Sequence, residues 1–145
     1  MILPTNAVPL SQSRDTHFGK GGIFHTVGQL TDLVLSSNAC ALPGCSIRIE
    51  RFLPILDAAK ADGIRVRGYI SCVTDCPFDG PTPPAAVARL AARLAELGCY
   101  EISLGDTIGQ ARPESIDAML AAVLEEIPAS KLAGHYHDTS GRALS

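Results

Sequence analysis

Tyr69, Ile102 and His135 stand 33 residues apart, and each lies near the middle of a predicted strand in a repeating unit of strand, loop and helix. Repeated βα units place their strands side by side and parallel, because each helix carries the chain back to the starting edge of the sheet. The stretch IRVRGYISCV, Ile64 to Val73, is short and rich in β-branched residues, as a strand should be. The loop CPFDGPTPP follows, and AAVARLAARLAEL then predicts a helix with Thr82 as N-cap, Pro83 in its first position and Gly98 at its end. CYEISLG is the next strand, Pro113 opens the helix ESIDAMLAAVLEEI, and KLAGHYHD supplies the third strand. Upstream, ERFLPILDAAKADG spaces Phe52, Leu53, Ile55, Leu56 and Ala59 as one helical face and closes on Gly63, with Pro54 in the first turn.

This pattern specifies an α/β chain of about three βα units with parallel strands. Repetition alone fits either an open doubly wound sheet or part of a (β/α)8 barrel. No GxGxxG follows any strand. A barrel is normally about 250 residues long, so three such units make up less than half of one.

Residues 1–45 do not continue the pattern. They are dense in Pro, Gly, Ser and Thr, offer at most one short apolar segment at Leu30 to Leu35, and are expected to be irregular. The organised region is therefore expected at residues 46–145. A net charge of −3 without a basic run argues against nucleic-acid binding. Neither an apolar run of about 18 residues nor a signal-peptide pattern is present, so the expected role is cytoplasmic and directed at a small molecule rather than a membrane. The five cysteines are expected to be reduced thiols.

The chemistry gathers at the strand ends. In a strand, alternate residues share a face, so His135 and His137 project together and Tyr136 points away. Asp106, in SLGDTIG, stands just past the end of the preceding strand, on the side where βα proteins build their sites. Two imidazoles and a carboxylate suit a divalent ion such as Mg2+, Mn2+ or Zn2+. The alternatives are ordinary ones: solvated or carboxylate-bonded histidines, a loop-capping Asp106, and a core aromatic at Tyr69. Cys72 and Cys76, spaced CxxxC, have no second pair to complete a zinc site. Asp138 is placed either to orient a histidine ring or to bind backbone amides.

The segments RVRGYISCVTDCPFDG, LGCYEISLGDTIG and LAGHYHDTSGRAL resemble, in order and spacing, the central part of the 3-hydroxy-3-methylglutaryl-CoA lyases. The resemblance runs from about Cys45 to Ser145. It implies a partial TIM barrel and a metal-dependent retro-Claisen cleavage of 3-hydroxy-3-methylglutaryl-CoA to acetyl-CoA and acetoacetate, a step of leucine degradation and ketone-body formation. It further implies a Mg2+ or Mn2+ cofactor bound by His135 and His137, catalytic roles for Asp106 and His135, and substrate contacts from Tyr69, Ser103 and Thr107. The partner implied is an acyl-CoA thioester. The family's early PRDGLQ-type motif, with its arginine and metal-binding aspartate, is not found here; Arg14 and Asp15 in SRDT lack the following glycine and the preceding strand. Its GGCPYA loop and asparagine ligand would lie past Ser145, and HDTSGRALS stands where the family reads HDTYGQALAN.

Two further expectations stand beside the lyase. One is a catalytically incomplete fragment with residual metal binding, whose open sheet edges favour self-association. The other is a synthase of the isopropylmalate and homocitrate group, which also uses an HxH pair but is less similar in GYISC and CYEISLGDTIG.

Overall fold

The structure is a computed structural model that describes the backbone of residues 32–38, together with residues 52–141 and 143. Its elements run β1 (Asp32–Asn38), α1 (Leu53–Ala61), β2 (Arg65–Ser71), β3 (Asp75–Cys76), β4 (Gly80–Pro81), α2 (Pro84–Glu96), β5 (Glu101–Asp106), α3 (Pro113–Leu124) and β6 (Leu132–Tyr136). A 3-10 turn at Ala129–Lys131 leads into β6. Among the described residues no helix is long and apolar enough to cross a membrane.

The main sheet is parallel throughout, in the order β1-β2-β5-β6. Each strand lies beside the one that follows it in this sheet, so the order never reverses and the crevice of a doubly wound sheet does not arise. These are consecutive strands of a (β/α)8 barrel that the described residues leave open. Strand β1 falls within residues 1–45 and takes in part of the short apolar segment at Leu30 to Leu35. Its run Leu33, Val34 and Leu35 suits a parallel strand. The rest of that segment lies outside the described residues.

One face of the sheet carries the core. Val66 and Ile70 of β2 and Ile102 and Leu104 of β5 are buried beneath the helices. Helix α2 offers them Val87, Ala88, Ala91 and Leu94, spaced as one helical stripe, and α3 adds Met119 and Val123 one turn apart. Burying a side chain the size of Ile70, Leu94 or Ile102 contributes about 1.5–3 kcal/mol each. The opposite face, by strand alternation, presents Arg67, Tyr69, Ser103 and His135.

The segment expected as a plain loop after β2 contains a small antiparallel hairpin of β3 and β4. Thr82 is not the N-cap of α2. Pro84 pushes Pro83 out of the helical region, to φ −63° and ψ 126°, so the helix starts one residue later than expected. The Thr82 hydroxyl instead donates to the Cys72 carbonyl at 2.7 Å. Cys72 has a φ of +57°, and this bond is one of the contacts that hold it there. Thr82→Val should therefore cost about 1–2 kcal/mol in denaturant unfolding by leaving that carbonyl without a buried donor, while Thr82→Ser stays near wild type. Equal stability of the valine variant would show that the bond contributes nothing.

Candidate metal-binding active site

The carboxyl ends of β2, β5 and β6 lie together, and the register fixes which side chains share a face. Tyr69 pairs with Ser103, Ser103 with Ala133, and Gly105 with His135. The rings then form a short ladder. Tyr69 meets His135 edge-on at 5.5 Å between centroids, and His135 meets His137 at 5.4 Å with planes 80° apart. His137 lies one residue past the end of β6, not within it, yet its ring still stands beside that of His135.

Tyr69 owes its position to a missing side chain. A Cβ on Gly105 would fall 2.7 Å from the Tyr69 Oη and 2.9 Å from its Cε1, so the phenol lies directly over the glycine. Burial pushes the phenol's pKa up, partly opposed by the guanidinium of Arg67, and Tyr69 stays a neutral donor at physiological pH. Arg67 in turn pairs with Glu101 on the same face. Ser103 is almost fully buried between Tyr69 and the β6 strand.

Asp106 is the last residue of β5, at the carboxyl end of the strand. It alternates with Leu104 and Ile102 and so belongs to the helix-covered face, level with Tyr136. Only 2% of it is exposed, and its carboxylate accepts the Gln110 N–H at 3.2 Å and the Ala111 N–H at 3.3 Å. Tyr136 registers its charge: burial raises the phenol's pKa, and Asp106 raises it further. Asp106, Tyr136 and His137 do line one small cavity of about 160 Å³. The carboxylate holds the loop through these two amides, and among the described residues no three metal-type side chains gather around one point. Asp106 and His137 thus share a cavity, while the Asp106 carboxylate also shapes the loop that follows β5.

Thr107 also has a structural partner, since its Oγ1 accepts the Cys72 N–H at 2.9 Å. Cys72 and Cys76 are buried thiols packed together, and Cys99 is buried with its thiol pushed up to about 11 by desolvation. Of the two alternatives for Asp138, the backbone one holds: its Oδ1 accepts the Ala143 N–H at 3.0 Å.

A repeat that strand-centred reading misses becomes visible here. Asp106-Thr107-Ile108-Gly109 and Asp138-Thr139-Ser140-Gly141 are two copies of a DTxG turn. In each the glycine N–H donates to the aspartate carbonyl, at 3.4 Å and 3.2 Å, and the glycine φ is +67° and +69°. In each the aspartate carboxylate accepts an amide farther along the chain. The signal lay in the sequence as two DTxG tetrapeptides 32 residues apart.

Comparison with known proteins matches residues 45–145 to the family model described as HMGL-like. The chain is 54% identical over 103 residues to the hydroxymethylglutaryl-CoA lyase of Pseudomonas mevalonii, covering 70% of this chain and 34% of that protein. It is 52% identical over 103 residues to the 3-hydroxy-3-isohexenylglutaryl-CoA/hydroxy-methylglutaryl-CoA lyase of Pseudomonas aeruginosa, with the same two shares. The crystal structure of the HMG-CoA lyase from Brucella melitensis superposes with a TM-score of 0.73 at 49% identity, covering 78% of this chain and 42% of that one. The chain spans about a third of the length of the curated relatives it matches.

Proposed function

The chain belongs to the HMGL-like family, and on that premise we propose that it carries part of a divalent-metal site for retro-Claisen cleavage of 3-hydroxy-3-methylglutaryl-CoA or a close acyl-CoA relative. The observation that carries this reading is the paired imidazoles of His135 and His137 at the carboxyl end of the sheet, with the Tyr69 phenol beside them. Two neighbouring imidazoles fit a Mg2+ or Mn2+ centre as two of its ligands, and the remaining ligands come from outside the described residues or from water. Such an ion supplies Lewis-acid polarisation of the substrate's oxygens.

The chain's own residues bind and orient. Tyr69, held neutral over Gly105, offers a hydrogen-bond donor on the same face as the histidines, and Ser103 lines that face beneath it. In this proposal Asp106, on the cavity it shares with His137, does acid-base or orienting work besides holding its loop, and Thr107 beside it contacts the substrate or shapes the same loop. The names of the relatives support a CoA thioester as partner. The isohexenyl form in one of those names leaves the branch at the acyl C3 open. The buried thiols of Cys72 and Cys99 fit the reducing, cytoplasmic setting of this proposal.

The open sheet favours a second reading. Among the described residues β6 has a strand neighbour on one side alone and no three metal-type side chains gather, so these residues by themselves would hold the ion incompletely and turn over slowly, and the free edge would favour association. One assay distinguishes these readings. Incubation with 3-hydroxy-3-methylglutaryl-CoA and Mn2+ should release acetoacetate, at a rate abolished by a chelator. Mn2+ binding without acetoacetate supports the incomplete site. Condensation of acetyl-CoA with a 2-oxo acid would overturn the lyase assignment.

A further inference from the structure

We propose that Gly109, in the turn after β5, is a positioning residue for His137, acting through Thr139. A Cβ built on Gly109 would overlap the Thr139 Oγ1, stand 2.9 Å from the Thr139 Cβ and 3.3 Å from the His137 Cβ. The HYHDT segment therefore rests on the bare backbone of the preceding loop, and only glycine leaves the room. Gly109 is itself buried, and its place is fixed from below. Its N–H donates to the Asp106 carbonyl, and the Asp106 carboxylate accepts the next two amides, of Gln110 and Ala111.

The contact is half of a pattern. The threonine of each DTxG turn reaches back to the loop of the strand before it: Thr107 accepts the amide of Cys72 after β2, and Thr139 sits on Gly109 after β5. Three strand-end loops are thereby tied in series, and His137, which lies past the end of β6, takes its position from the last tie instead of from the sheet. This gives the buried Asp106 an effect on His137 through the loop: it builds the seat. Side chains held by such outer contacts commonly set metal affinity by about 10–100-fold.

Gly63 provides the control. Its φ of +68° matches the +67° of Gly109, yet a Cβ there would meet nothing within 4 Å. Gly63→Ala thus imposes the same backbone strain without the crowding. In the full chain, Gly109→Ala should abolish the nuclear Overhauser contacts between the His135 and His137 rings and weaken Mn2+ binding about 10-fold or more, whereas Gly63→Ala should leave both unchanged. Should Gly109→Ala fail to fold, Thr139→Gly removes the contact from the other side and should likewise release His137. Ring contacts that survive in Gly109→Ala, or in Thr139→Gly, would overturn the proposal.

This inference rests on the metal reading for its affinity readout alone. Wild-type chain that binds no Mn2+ but loses its ring contacts in Gly109→Ala would refute the metal site and leave the positioning role standing.

Discussion

His137→Ala lowers Mn2+ affinity of the chain by at least the roughly 10–100-fold that loss of an outer partner of a metal ligand costs, as read by calorimetric titration. His135→Ala does the same. The expectation follows from two imidazoles 5.4 Å apart between centroids and from the absence, among the described residues, of a group of three metal-type side chains that could replace either. Both rings are exposed, and truncating them removes no buried packing. Stability should change by less than about 0.5 kcal/mol, as for ordinary surface positions, which separates loss of the ligand from loss of the fold. Unchanged Mn2+ affinity in both variants would remove the metal from this site.

The second large effect runs the other way, through stability. Asp106→Ala should destabilise the chain by about 2–4 kcal/mol in urea unfolding, because two backbone amides lose a charged acceptor in a nearly dry environment. Asp106→Asn should recover only part of this. One amide keeps an oxygen acceptor, while the other meets an NH2 group that cannot accept. A purely catalytic aspartate would give the opposite pattern, with activity lost and stability retained. Full stability in Asp106→Ala would show that the loop does not depend on the carboxylate.

Much of this architecture is legible in the sequence, and the misses have identifiable causes. The strands at Arg65–Ser71, Glu101–Asp106 and Leu132–Tyr136 follow from the 33-residue interval, and the helices between them from their leucine and alanine stripes. Strand β1 is marked in the sequence by the short apolar segment at Leu30 to Leu35 alone, because no helix pattern directly follows Asp32–Asn38. The start of α2 was misplaced by one residue although the rule was available, since a proline restricts the residue before it and Pro83 precedes Pro84.

For the site, position along a strand is legible, and parity across it then fixes the face. His135 and Tyr69 fall on one face as alternation requires. Asp106 falls at the strand end, and because it is an even number of residues from the buried Ile102 and Leu104 it lies on the helix-covered side. The paired DTxG turns escaped notice because the repeat was anchored at strand centres 33 residues apart, while the turns stand 32 apart. How Thr139 seats on Gly109 depends on the packing of two loops from different strands, which no local pattern encodes.

Pulsed electron paramagnetic resonance of Mn2+ bound to the chain tests the central assignment most directly, because nitrogen coupling reports imidazole in the coordination sphere. Two coupled histidine nitrogens are expected, falling to one in either His135→Ala or His137→Ala. Bound Mn2+ with no nitrogen coupling, or coupling that survives both substitutions together, would contradict the placement of the metal at His135 and His137.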